Sequence, residues 1–194
     1  LGFLWTFINP LLQLVVYSFV FSVVMKARVE EGPGFYLFLF VGLIPWIFFS
    51  AALTGGSVSI IQQKDLVKKI YFPREVIPIA YVTSSFVNML LSFIVVFIVA
   101  LFAGVRFSLL GLLCLPVIMF VEYLMCIGIA FVTSAVTVYF RDLEHILGIL
   151  TMMWMYATPV CYPMEMVPER FRGLYMLNPM TPMVEAYRAV FYYG

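Results

Sequence analysis

The sequence predicts an all-α integral membrane protein, and three observations carry that expectation. Of its 194 residues, 64% are hydrophobic and only 11% are charged, against about 45–50% and about 25% in soluble domains. The apolar residues fall into five long runs, at 1–25, 35–61, 76–105, 107–140 and 146–163. A helix needs about 20 apolar residues to cross a bilayer core, so five crossings in one domain, residues 1–194, are expected. The charges gather in short islands between the runs, above all at 62–75 and 141–145.

The first run carries no charge, and Asn9-Pro10 interrupts it early, so its span includes residues 5–8 or tilts around the proline. Lys26, Arg28, Glu30 and Glu31 with Gly32-Pro33-Gly34 form a polar turn. Pro45 and Gly55-Gly56 predict a kink or local break in the second span. The third and fourth spans meet at Arg106, and the fourth is broken only by Glu122. An ionisable group at that depth either faces an aqueous pathway or bonds a neighbouring helix. The fifth span ends near Thr158-Pro159. Beyond it, Pro168 and Thr181-Pro182 mark the starts of two short helices around the break Leu177-Asn178-Pro179. Neither is long enough to span, so both sit in the interface or dip into the membrane. Glu185 and Arg188, three apart, can pair on one helix face.

The island 62–75 divides into faces at helical spacing. Leu66, Val67, Ile70 and Tyr71 share one face, and Lys64, Asp65, Lys68 and Lys69 the opposite one. This reads either as an amphipathic helix at the membrane surface, ended by Pro73, or as a solvated loop with snorkelling lysines. Such a helix could carry force from a soluble partner into the spans. The positive-inside bias does not orient the chain. Lys64, Lys68, Lys69, Arg74 and Arg141 on one side face an equal number, Lys26, Arg28, Arg106, Arg170 and Arg172, on the other.

Several functions are set aside by composition. A net charge of +1 lacks the concentrated basic surface of a nucleic-acid binder. No Gly-x-x-x-x-Gly-Lys-Ser/Thr phosphate loop occurs. The one histidine, His145, lies in a charged loop beside Asp142 and Glu144, and no nucleophilic triad assembles on one side of the membrane. Cys114 and Cys126 read as small hydrophobes of helix packing, and no metal-ligand spacing includes Cys161. The chain is therefore not expected to be an enzyme by itself. It begins at Leu1 and stops just after an amphipathic segment, as a piece of a longer protein would.

LGFLWTFINPLL at 1–12, GLIPWIFF at 42–49, DLVKKIYFPREVIPIA at 65–80, YFRD at 139–142, and the Thr158-Pro159-Val160, Val167-Pro168 and Leu177-Asn178-Pro179 breaks followed by Arg188 resemble, in register, polysaccharide-exporting ABC transporter permeases. The resemblance covers essentially the whole chain. It implies two copies of this chain and two copies of a separate ATP-binding subunit, exporting undecaprenyl-linked O-antigen, teichoic acid or capsule across a bacterial cytoplasmic membrane. ATP and Mg would sit on the partner, with no cofactor on this chain. The islands would be cytoplasmic. Lys64, Asp65, Leu66, Val67, Lys68, Lys69, Ile70 and Tyr71 would form the coupling helix, Phe72, Arg74 and Glu75 its exit, and Arg141 and Asp142 a nearby turn. Residues 164–176 and 180–192 would be two re-entrant helices of an extracellular gate containing Pro159, Pro168, Asn178, Pro179, Glu185 and Arg188. Trp46, Phe48, Phe49, Glu122 and Tyr139 are candidates for an aromatic-lined path. A sixth span and an N-terminal amphipathic helix would lie outside this sequence. The rival readings are a permease for a drug or small lipid, and a membrane enzyme or assembly factor acting on lipid-linked sugars.

Overall fold

The structure, a computed structural model, describes residues 34–69, 71–105 and 107–193, with positions 8, 12, 15, 16, 19 and 20. The expected first span therefore falls almost wholly outside the described residues. The elements are α1 (Phe35–Gln62), α2 (Lys64–Lys69), α3 (Val76–Phe102), α4 (Leu109–Tyr139), α5 (Leu143–Tyr156), α6 (Glu169–Met176) and α7 (Met180–Arg188). A 3-10 turn, Met164–Met166, precedes α6, and a π-helical turn, Ala189–Tyr193, prolongs α7. Among the described residues there are no strands.

Among the described residues, three helical stretches are long and apolar enough to cross a membrane: α1 continued by α2, α3, and α4. At 1.5 Å per residue, α4 reaches about 46 Å, well beyond a hydrocarbon core of about 30 Å. Their limits lie within a few residues of the uncharged runs. The fifth run differs. Its helix starts earlier and stops earlier than expected, over the 14 residues Leu143–Tyr156, about 21 Å of rise. Pro159 disfavours helix at Thr158, and the Thr158 hydroxyl donates back to the Trp154 carbonyl at 2.9 Å.

α1 is the hub. It packs against α3, α4, α5 and α7, and most of its side chains are buried, whereas α4 turns its Leu110, Leu113, Val117, Phe120 and Leu124 side outward. The break expected at Pro45 or Gly55-Gly56 does not occur, since α1 runs uninterrupted through both. Gly56 serves a close approach instead. A Cβ there would lie 3.0 Å from the Ala130 Cβ of α4, with Val82 of α3 alongside at 4.0 Å. Small residues at such crossings let apolar helices pack backbone to backbone.

That crossing also fixes the topology. The end of α1, the start of α3 and the end of α4 lie at one end of the bundle, where both charged islands join the helices. The opposite end gathers the start of α1, the α3–α4 turn and the C-terminal residues. There Phe38 meets Tyr192 edge-on at 5.4 Å, and Phe97 stacks on Phe107 at 4.9 Å. Tyr192 is buried by this contact, while Tyr193 stays exposed.

Candidate functional site

Two wholly buried polar residues, Thr158 and Arg188, lie where α5 ends and α7 returns. Thr158-Pro159 stops the α5 helix and leaves the next carbonyls without helical donors. Arg188 takes them up. Its Nη1 donates to the Pro159 carbonyl at 2.7 Å and its Nη2 to the Val160 carbonyl at 2.6 Å. Nη1 also pairs with Glu185 at 2.9 Å, the three-residue spacing read from the sequence. The guanidinium lies 3.5 Å over the Phe38 ring of α1 and has no solvent exposure. It fits because position 42 is glycine: a Cβ there would stand 2.9 Å from Nη2 and 3.1 Å from the Val160 carbonyl.

Asn178 closes the turn between α6 and α7. Its Oδ1 accepts from Trp154 Nε1 at 2.9 Å and from the Met180 amide at 3.0 Å, and its Nδ2 donates to the Ala157 carbonyl at 3.1 Å and to Thr158 Oγ1 at 2.8 Å. Trp154 in turn meets Phe49 edge-on at 5.1 Å, and Phe49 stands midway along α1. The chain thus folds inward along α6 to the middle of the bundle and climbs back along α7 to the level of Gly42. The helix start expected at Thr181-Pro182 lies earlier, at Met180, because Asn178 and not Thr181 satisfies the first amides. Glu185 is half-buried, Pro159 is buried, and Pro168 and Pro179 are exposed.

Of the two readings open for Glu122, the structure supports a bond to a neighbouring helix. Tyr187 of α7 donates to Glu122 Oε2 at 2.6 Å, and both side chains are wholly buried. Phe93 of α3 stacks on the Tyr187 ring at 4.8 Å.

At the other end, α2 is a six-residue helix with every side chain at least partly exposed. Asp65 in its first turn and Lys68 and Lys69 in its last complement the helix dipole. So short a helix is marginal alone; the Val67 amide ties it to the Gln63 carbonyl at 3.0 Å. Leu66 is 43% exposed and Val67 half-buried. The helix ends at Lys69, so Tyr71 does not join its apolar face and projects fully into solvent. Ile70 lies outside the described residues. Phe72 is half-buried; Lys64, Arg74, Glu75, Arg141 and Asp142 are exposed.

Of the path candidates, Trp46 and Phe49 meet at 5.5 Å, while Tyr139 lies apart from the others. Phe48 packs on Phe86 and Phe49 on Trp154, both inside the bundle. Tyr139, at the island end of α4, is 92% exposed and far along the helix from Glu122. Trp46 borders a groove of about 360 Å³ lined by Leu43, Trp46, Ile47, Ser50, Ala51, Thr54 and Met155.

A family model described as ABC-2 type transporter matches residues 1–192. The chain belongs to the ABC-2 transporter family. An O-antigen export system permease protein of Myxococcus xanthus is 37% identical over 194 residues, covering 99% of this chain and 73% of that protein. One from Klebsiella pneumoniae is 34% identical over 193 residues, covering 100% of this chain and 73% of its own length. A polysialic acid transport protein of Escherichia coli is 24% identical over 192 residues, covering 97% of this chain and 72% of its length.

In this ABC-2 transporter chain, sequence reading missed Tyr187 and Trp154. Tyr187 falls on the same face of α7 as Val184 and Arg188, so helical spacing groups it with the buried side, but nothing local names Glu122 as its partner. Trp154 carries only the general signal of an indole N–H that needs an acceptor. Asn178→Ala strips the turn of four side-chain bonds and is expected to destabilise the chain by about 1–3 kcal/mol. Thermal unfolding in detergent checks this; an unchanged midpoint would show that the turn holds without them.

Proposed function

We propose that this chain is the membrane-spanning subunit of an ATP-driven exporter of lipid-linked polysaccharide in a bacterial cytoplasmic membrane. The observation that carries the proposal is similarity along the whole chain to proteins named O-antigen export permeases, at 37% and 34% identity. The lower identity to the polysialic acid transport protein favours an O-antigen-type polymer over capsule, with teichoic acid the third polymer class. Two copies act with two copies of an ATP-binding subunit that holds ATP and Mg.

The assigned ends support an arrangement with both islands cytoplasmic and five crossings, the fifth completed by the chain that follows α5 up to Val160. α6 and α7 are then re-entrant from the outer face, with Asn178 at the turning point and Arg188 fixing the returning arm. ATP binding draws the partner subunits together, and α2 passes the motion to α1 and α3, which flank it in the chain. Polymer moves along the interface between copies, where the groove beside Trp46 offers an apolar wall with Ser50 and Thr54 as polar points.

The test is expression of the full-length protein with the ATP-binding subunit encoded beside it, followed by purification and mass measurement. A stable complex of two plus two whose ATPase activity responds to a polyprenyl-linked glycan supports the reading. Response to small amphiphiles alone favours the drug or small-lipid permease. Failure of any ATP-binding subunit to co-purify favours the membrane enzyme or assembly factor.

A further inference from the structure

α7 is tied by polar bonds in two directions. Asn178, at the turn into it, and Arg188, at its end, bind it to residues 154–160, so α7 and the top of α5 form one body. Toward α4, the one side-chain hydrogen bond that α7 makes among the described residues is Tyr187 to Glu122. Against α3 the ring contacts are apolar, Phe93 stacking on Tyr187 at 4.8 Å and on Phe191 at 5.3 Å. Apolar faces can slide with little penalty, whereas a hydrogen bond in a low-dielectric interior is made or broken.

The Glu122 side of this bond is incomplete. Its Oε1 is buried and has no hydrogen-bond partner among the described residues. An ionisable side chain inside a span is costly, and a buried acceptor left open calls for a reason beyond packing. An apolar pair of the same shape would hold the helices together as well. A junction made by one bond, with a spare acceptor beside it, suits two positions of the α7 body.

We infer that the Tyr187–Glu122 hydrogen bond is a latch that positions the returning helix α7 against α4 and opens when that helix shifts during export. Glu122 acts through Tyr187 and is a positioning residue; neither side chain touches polymer. The inference rests on the export reading above.

The test uses the full transporter with its ATP-binding subunit in proteoliposomes, with Tyr187→Phe, Glu122→Gln and the double variant Glu122→Leu/Tyr187→Phe. Tyr187→Phe is expected to lower polymer exported per ATP by about five-fold, the ratio worth one net hydrogen bond, while ATP hydrolysis continues. Glu122→Gln, whose amide oxygen still accepts from Tyr187, should keep the parent's coupling. The double variant leaves no polar group unpaired, so it should regain the parent's unfolding midpoint and yet stay uncoupled. Recovery of both stability and coupling in the double variant would mean a purely structural pair and overturn the latch. So would parent-like coupling in Tyr187→Phe, or a parallel fall of hydrolysis and export.

A second readout does not depend on polymer. A Cβ at Gly111 of α4 would lie 3.6 Å from Val190 Cγ2, just past α7, so Gly111→Cys/Val190→Cys in a background lacking the native cysteines reports whether the two segments adjoin. Crosslinking should fall on adding ATP in the parent and be low already without ATP when Tyr187→Phe is present. Equal crosslinking in both backgrounds would overturn the latch, whether or not polymer is exported. A parent that hydrolyses ATP and shows the crosslinking change but moves no polysaccharide would refute the export reading and leave the latch standing.

Discussion

Arg188→Met is expected to abolish export and to lower the unfolding midpoint of the purified complex. The guanidinium holds two carbonyls freed by the proline stop and one carboxylate, all within 2.9 Å. Removing one member of a buried charged cluster costs about 3–5 kcal/mol, because its partners stay behind unpaired. Here the value falls at the lower end, since Glu185 keeps 29% side-chain exposure and can rehydrate. A second substitution reaches the same point from the opposite wall. Gly42→Leu leaves Arg188 in the sequence but drives a side chain into the space beside Nη2, and should give the same loss. Thermal unfolding in detergent, with export measured in parallel, decides both. A parent-like midpoint in Arg188→Met would show that the 159–160 turn and α7 hold together without the clamp.

Leu66→Asp is expected to uncouple ATP hydrolysis from export, and Lys68→Ala to weaken assembly only slightly. Both side chains project from α2 and both are exposed. An exposed ion pair is worth about 0–1 kcal/mol, whereas burying a leucine in a partner's groove is worth about 1.5–3 kcal/mol. The aspartate forfeits that burial and adds the penalty of desolvating a charge. Val67, next to Leu66 on α2, is half-buried. ATPase stimulation of reconstituted complexes ranks the two; equal effects would contradict a contact led by apolar fit.

The long helices were legible because uncharged runs leave little choice: a backbone in lipid must bond to itself, and helices do so within one segment. α1, α3 and α4 start and stop within a few residues of the nearest charges. α5 was not legible in the same way. Its end near Thr158-Pro159 could be read from the proline, but the helix begins at Leu143, inside the charged island and ahead of the apolar run. The Glu185–Arg188 pair followed from spacing on one helix. The burial of Arg188 did not, because its main partners are carbonyls 28 and 29 residues away. The same limit hid the Tyr187–Glu122 bond, which spans 65 residues. Glu122 stood out as an acid in a span, yet only packing chooses between a water path and a helix partner. The surroundings of the path candidates were hidden for a related reason. Phe48 and Phe49 look alike on any face of α1, and the neighbours of α1 cover nearly all of them.

The measurement that tests the account most directly is ATP-driven movement of polyprenyl-linked O-antigen across proteoliposomes containing this protein and its ATP-binding subunit. The account predicts that glycan becomes protected from an external glycosidase in inside-out vesicles only when ATP is hydrolysed, and that Leu66→Asp removes protection while hydrolysis persists. Hydrolysis without protection in the parent complex, or protection without ATP, would contradict it.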